Sequence, residues 1–231
     1  MTSIESALAA GKQDDETPLW IAIPPGYFSL PLDGITDKLR NAESVLTETA
    51  GQQQSARIDM VSSVMDTFLS DLATTGALYC GVGRHTSPSD EAVVTSTLVV
   101  SYQEYEGTRN PRLLLKDILQ AKADANEAGG ADIIDVGERP ILFFERTRDL
   151  PTPQLPGMPE VPDEATSSVY QLEALVPSYE GDQLATVALS TPFASHGPEF
   201  QTMVVQLAAS VSFAPPEESP ESSSRIQQLL G

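Results

Sequence analysis

Alternating apolar and polar residues near the end of the chain predict an antiparallel β-hairpin. Apolar side chains recur at every second position from Tyr170 to Val176, a pattern typical of a half-buried strand. Pro177 ends this strand because proline cannot donate to a ladder, and in the turn at 180–182 Gly181 can adopt a positive φ. The apolar run Leu184–Leu189 predicts the second strand, so the two runs indicate a hairpin.

After this hairpin the apolar period changes from two residues to 3.6 and predicts a closing helix. Pro198 suits the first turn of a helix, and Glu199 complements the positive charge of its start. The apolar stripe of this helix predicts burial against the hairpin, and a helix laid across a hairpin is typical of an α+β fold. The stripe consists of Phe200, Met203, Val204 and Leu207, widened by Val205 and Ala208.

Upstream of the hairpin the same periodicities predict three long helices and further strands. The helices are expected from Asp33, as N-cap, to Glu48, from Ser55 to Thr75, and from Pro111 to Ala128. With the closing hairpin there are about seven strands, which we expect to form a mostly antiparallel sheet with helices packed on its faces, an α+β fold. The upstream strands are expected at 20–23, 27–32, 77–84, 93–102, 132–136 and 140–146, with a polar loop at 85–90.

Composition divides the chain into one domain and two tails. Residues 1–17 are polar and are expected to be a flexible tail, whereas 18–213 are expected to form a single α+β domain. Residues 150–162 are rich in proline and predict a surface loop within that domain. Residues 214–231 are rich in Pro, Glu and Ser and predict a disordered acidic tail.

The charge of the chain limits its partners. Its 13 basic and 33 acidic residues give a net charge of −20, which argues against binding to nucleic acid or to an anionic membrane surface. The acidity is explained most simply by solubility, and where it contributes to binding it favours a basic partner. Cys80 is the only cysteine, and the first 20 residues contain neither a basic segment nor a long apolar run, so we expect a cytoplasmic protein without disulfides.

Two stretches of the sequence resemble the PsbP-like fold. WIAIPPGYFSLPL at 20–32 is similar to its opening segment, and ATVALSTP at 185–192 followed by PEFQTMVVQLAASVSF at 198–213 is similar to its closing strand and helix. Members of that family include photosystem II extrinsic proteins, a Ran-binding import factor, mycobacterial lipoproteins of the LpqN type and adaptor chaperones. The predicted helices from Ser55 and Pro111 are longer than in its compact members, and the lipobox cysteine of a lipoprotein is missing. The resemblance implies a shared fold, and it assigns no function to any residue of this chain.

The residues most capable of chemistry do not form a recognisable catalytic or metal-binding motif. Neither histidine, His85 or His196, has a neighbour at the spacing of a metal ligand. Cys80 and His85 would lie on opposite faces of one strand, so we expect Cys80 to be a buried apolar residue. Gly81-Val82-Gly83 is only a fragment of a phosphate-binding loop. We therefore predict no catalytic, cofactor-binding or metal-binding residue.

These observations favour a non-catalytic protein-interaction module, that is an adaptor, chaperone or accessory protein. It would bind its partner across an exposed sheet face or groove. One alternative is a small-molecule-binding protein or an enzyme with an uncharacterised site in a pocket between sheet and helices. Another is a subunit of a larger assembly, attached through the proline-rich loop and the segment Ile226–Leu230.

Overall fold

A computed structural model describes residues 18–50, 55–152, 162 and 164–215. Seven strands form one antiparallel sheet in the order β1-β2-β3-β7-β6-β5-β4, which with four α-helices confirms the predicted α+β fold. The strands are β1 (Tyr27–Ser29), β2 (Ala77–Thr86), β3 (Val93–Glu104), β4 (Gly130–Val136), β5 (Arg139–Pro151), β6 (Thr166–Pro177) and β7 (Gln183–Thr191). The helices are α1 (Ile35–Ala50), α2 (Ser55–Thr74), α3 (Pro111–Asp124) and α4 (Gln201–Ser210), and α4 is preceded by a 3-10 helix (Ala194–Phe200).

The predicted hairpin is β6–β7, in the middle of the sheet. Leu172 pairs with Leu189, and Pro177 is the last residue of β6. The turn places Gly181 at φ +67°, and a Cβ atom there would overlap the carbonyl oxygen of Arg109. Glycine is therefore required both by the backbone conformation and by the close approach of the neighbouring loop.

One face of the sheet, here called the first face, is covered by α4 and by the segment before β1. Val204, Leu207 and Ala208 of α4 are buried against it, as their spacing predicted. Apolar residues of the five inner strands β2, β3, β5, β6 and β7 complete this core. They are Tyr79, Val94, Leu98, Val100, Ile141, Tyr170, Leu172, Ala174, Val176, Ala185, Val187 and Leu189, joined by Leu19 of the leading segment.

The opposite, second face is covered in part by α3. Leu115 of this helix packs on Leu142, Leu175 and Leu184 of the strands β5, β6 and β7. The helix begins at Pro111, where the side chain of Asn110 accepts hydrogen bonds from the backbone N–H groups of the first turn.

The helices α1 and α2 form an antiparallel hairpin at the β2 side of the molecule. The hydroxyl of Thr36, near the start of α1, donates to the Asp66 carboxylate in the second half of α2 at 2.9 Å. α1 packs on α2, and α2 packs on β2, where Leu69 is fully buried. The Asp33 carboxylate, predicted as the cap of α1, accepts a hydrogen bond from Lys38 Nζ, and α1 begins at Ile35.

Several predicted elements differ from the observed ones. Residues 20–23 are not a continuous strand, because only isolated bridges form, at Trp20 and Ala22, and that of Trp20 pairs it with Ser212 through two backbone hydrogen bonds. The closing helix starts at Gln201 and not at Pro198, which lies inside the 3-10 helix. Val205 does not widen the buried stripe of α4, because it is exposed.

Other differences concern loops and tails. β2 and β3 remain paired as far as Thr86 and Val93, so the predicted loop at 85–90 is shorter at its start and His85 belongs to a strand. β5 extends to Pro151, into the predicted proline-rich loop. The remainder of that loop at 153–161, the tail 1–17 and the segment Ile226–Leu230 lie outside the described residues.

The opposite environments of Leu207 and Val205 provide a test of this packing. Leu207→Ala should lower the free energy of unfolding by about 2–5 kcal/mol, because it leaves a cavity between α4 and the first face. Val205→Ala, two residues away on the exposed side, should change it by less than about 0.5 kcal/mol. Urea denaturation of both variants measures the difference, and equal losses would contradict the observed orientation of α4.

Candidate functional site

The second face of the sheet is open at its β1–β2–β3 end. Phe28 lies opposite Val82, and Val82 lies opposite Thr97, so the three form a row across three strands. Phe28 is 74% exposed, and Val82 and Val93 are exposed as well. We call Phe28, Val82, Val93, Thr95 and Thr97 the open face. Clustered exposed apolar side chains on a flat sheet surface are typical of binding sites for other molecules.

Contacts on the first face determine how the open face is presented. Gly26, at φ +95°, turns the chain into β1, and Tyr27 then points to the first face, where its hydroxyl hydrogen-bonds Ser96 Oγ at 2.7 Å. The Tyr27 ring lies over Gly83, whose Cβ would be 2.9 Å from it. Since side chains alternate along a strand, anchoring Tyr27 on one side directs Phe28 to the other.

A second apolar surface lies on the α1–α2 hairpin. Among the described side chains of these two helices, only Leu69 is fully buried. Exposed apolar residues recur at spacings of three and four on each helix, as they do on a face that packs against another helix. We call Ala42, Val45 and Leu46 of α1 with Val61, Val64 and Phe68 of α2 the hairpin face.

His85 lies within the core of the first face, contrary to the predicted loop position. Its ring packs against Tyr27 and Phe200, with ring centroids 5.2 Å apart in both pairs, and its Nε2 is 2.9 Å from Ser96 Oγ. Burial lowers the pKa of His85 from its usual value. A neutral imidazole held by one hydroxyl and two aromatic rings is a packing element of the first face.

His196 lies in the 3-10 helix and connects it to the turn between β2 and β3. Its Nε2 is 3.1 Å from Asp90 Oδ2, and its Nδ1 is 3.2 Å from Ser195 Oγ. These are the residue types of a hydrolase triad, yet Ser195 and His196 are adjacent residues, so their contact is local. The Ala92 N–H and then His196 hold the pKa of Asp90 below its usual value.

Glu199 strengthens the same connection. Its Oε1 accepts hydrogen bonds from Ser87 Oγ at 3.0 Å and from Ser89 Oγ at 2.7 Å. This carboxylate was predicted to complement a helix start, whereas the structure shows that it binds the β2–β3 turn. The turn is therefore held against the 3-10 helix by Glu199 and His196 together, a role with no signature in the sequence.

Cys80 and the neighbouring glycines have structural environments. Cys80 is fully buried on the second face, as predicted, and burial raises the pKa of its thiol to about 11. Its side chain lies on the opposite face from His85, as the spacing predicted. Gly81 lies beneath the ring of Tyr79, where a Cβ would overlap the phenol, so Gly81 and Gly83 both make room for aromatic side chains.

Four charged residues form a compact group beside the C-terminal end of α3. Lys122 Nζ is 2.8 Å from Glu173 and 3.3 Å from Glu127, and Arg146 Nη1 is 2.7 Å from Glu127. Both cations also lie over the ring of Phe144. Two cations and two carboxylates balance each other, so this group fastens α3 to β5 and β6 and presents no excess charge to a ligand.

A cavity of about 420 Å³ lies between the start of α3 and two turns of the sheet. Its polar lining includes Arg112, which pairs with Asp135, and Arg139, which donates from Nη2 to the Val211 carbonyl at 2.8 Å. Burial lowers the pKa of Arg139. The volume is within the range of small-molecule sites, and both arginines already have protein partners.

No family model matches the sequence, and no curated protein is significantly similar to it. Within the described residues, three or more His, Cys, Asp or Glu side chains nowhere gather into a group that could hold a metal ion. None of the described helices combines the length and the apolar character that crossing a bilayer requires.

The buried environment of His85 predicts a pH dependence of stability. Its pKa is lower in the folded protein than the value of about 6.5 in an unfolded chain, so the unfolded chain takes up the proton first. The contribution of His85 is therefore complete above pH 6.5 and is lost as the pH falls below it. Between pH 7 and 5 the free energy of unfolding, measured with urea, should fall more in the wild type than in His85→Gln.

The comparison between pH 7 and 8 is the control for this experiment. His85 is neutral in both states there, so the wild type and His85→Gln should differ by a constant amount. Parallel pH profiles of the two proteins down to pH 5 would contradict the burial of His85.

Proposed function

We propose that this protein is a non-catalytic protein-interaction module, an adaptor, chaperone or accessory protein that binds its partner across the open face. The exposure of Phe28 and Val82 side by side on the sheet carries this proposal. A folded chain gains little from an exposed aromatic side chain, whereas a partner that covers it gains apolar contact area. The flat surface around them, lined by Thr95, Thr97 and the exposed Arg84, suits a protein surface better than a small ligand.

The net charge supports a basic partner. A charge of −20 attracts basic proteins over a distance of about one Debye length and accelerates their association. The apolar open face would then supply the short-range contact area. The same charge opposes nucleic acid as the partner.

The fold and the location complete the proposal. On the resemblance of residues 20–32, 185–192 and 198–213 we propose that the antiparallel sheet and its final helix are a PsbP-like fold. The single buried thiol of Cys80 suits a reducing compartment, so we propose a cytoplasmic location.

Replacement of Phe28 tests the proposed binding surface. In affinity capture with quantitative mass spectrometry, a partner recovered with the wild type should be reduced at least about tenfold with Phe28→Ser, because a central aromatic contact is lost. Leu113→Ser is the matched control, since Leu113 is 58% exposed on α3 and should retain the partner. Both variants should keep the melting temperature of the wild type.

Two outcomes would count against the open face. Equal recovery of the partner with wild type and Phe28→Ser would place its binding site elsewhere. The consistent lack of a stoichiometric partner under several buffer and salt conditions would count against an interaction module altogether.

The cavity between α3 and the sheet supports a second candidate function, the binding of a small polar molecule. Arg112 and Asn110 provide donors at its mouth, and the alternative predicted from the sequence was a pocket between sheet and helices. A metabolite that raises the melting temperature of the wild type but not of Arg112→Ala would favour it. A metabolite library that changes the melting temperature of neither protein would contradict this second candidate function.

A further inference from the structure

We propose that the hairpin face binds the hairpin face of a second copy of this chain, so that α1 and α2 of both copies form a four-helix bundle. This inference does not rest on the open face, which lies on the sheet. It rests on the exposed apolar stripes of the two helices, on the charges at the ends of those stripes and on the size of the surface.

The two apolar stripes lie on the same side of the α1–α2 hairpin. In α1, the half-buried side chains of Ile35 and Leu39 form a line along the helix. Viewed from the start of the helix, Ala42 and Val45 are rotated about the helix axis to one side of that line. Val61, Val64 and Phe68 of α2 are rotated in the same sense away from the line formed by the half-buried Ile58 and Met65 and the buried Leu69. Because α1 and α2 run antiparallel, equal senses of rotation bring both stripes to one side.

Each stripe begins with a basic residue and ends with an acidic one. On α1 the spacing of three and four residues continues the stripe from Val45 back to Lys38 and forward to Glu48. On α2 the same spacing continues it from Val64 back to Arg57 and forward to Asp71. Two basic and two acidic residues therefore mark the ends of the hairpin face, and Lys38 is also paired with Asp33 of its own chain at 2.6 Å.

This order of charges is self-complementary. A two-fold axis in the interface can run across the helices. Each stripe then packs antiparallel on the same stripe of the second copy. In that arrangement Lys38 faces Glu48 of the second copy, and Arg57 faces its Asp71. If the axis runs along the helices, α1 meets α2 of the second copy, and Lys38 faces Asp71 while Glu48 faces Arg57. Both arrangements bring opposite charges together.

The surface is large enough for a stable dimer. Helices of 16 and 20 residues are about 24 and 30 Å long, and two of them side by side cover roughly 20 Å in width. An interface of this length and width buries on the order of 800 Å² of accessible surface per copy, the area of a standard protein–protein interface. Two such hairpins packed together form the core of an ordinary four-helix bundle.

Sedimentation velocity of the full chain tests the inference. The wild type should sediment as a dimer of twice the 24.7 kDa chain. Val64→Glu and Val61→Lys, of opposite charge, should each weaken dimerisation at least about 100-fold, because the dimer would bury two unpaired charges. Leu113→Glu on α3 is the matched control and should remain dimeric, and circular dichroism should show the same helical content for all three variants.

The salt dependence distinguishes a second copy from a basic partner. Two chains of −20 repel each other at low ionic strength more strongly than the exposed ion pairs at the ends of the helices attract, so salt should lower the dissociation constant of the dimer. A complex with a basic protein would instead weaken as salt is added. A dimer that weakens with salt would overturn the proposed apolar interface.

Three further outcomes would also overturn the inference. One is a wild type that is monomeric at all protein and salt concentrations, and another is a dimer unaffected by both hairpin variants. The third is a wild type that dimerises only after removal of residues 216–231, which would identify the end of its own chain as the occupant of the hairpin face. A monomer that still captures a partner dependent on Phe28 would leave the proposed function intact.

Discussion

The burial of β6 on both sides is the constraint from which the rest of the fold follows. Four consecutive residues from Ala174 to Pro177 are buried, so this strand needs apolar cover on each face of the sheet. α4 covers the first face and α3 covers the second. α3 is brought into place by the loop before it, because Tyr105 and Arg109 donate backbone hydrogen bonds to Asp182 and Glu180 in the β6–β7 turn.

The cover provided by α3 and α4 is unequal across the sheet. α4 and the leading segment cover the first face as far as β2, whereas α3 reaches only the half of the second face formed by β5, β6 and β7. On the β1–β3 side of the sheet, α2 packs on β2. The open face and the hairpin face both belong to the β1–β3 side of the molecule, where no described residue covers their exposed apolar side chains.

The sequence predicts the fold class, the β6–β7 hairpin and the buried stripe of α4 because these elements are regular and amphipathic over many residues. It fails at Trp20–Ile23, where an apolar run packs on the first face without strand pairing. It also fails at His85, because the pairing of β2 with β3 outweighs the polar composition around it. The sequence does not predict that the apolar stripes of α1 and α2 are exposed. A helix that packs within its own chain and a helix that packs on another chain have the same 3.6-residue apolar period.

The two histidines and the cysteine are engaged in packing and turn contacts of the described fold, which fits the proposed binding function. His85 lies between two aromatic rings, His196 and Glu199 hold a turn, and the Cys80 thiol is buried in the second face. Removing the contact of His85 for catalysis would cost folding free energy, since its Nε2 pairs with the buried hydroxyl of Ser96. The side chains of Phe28 and Val64, in contrast, are exposed to solvent and are not part of the buried core of the described chain. Covering them costs no internal contact, so a partner gains their full apolar area.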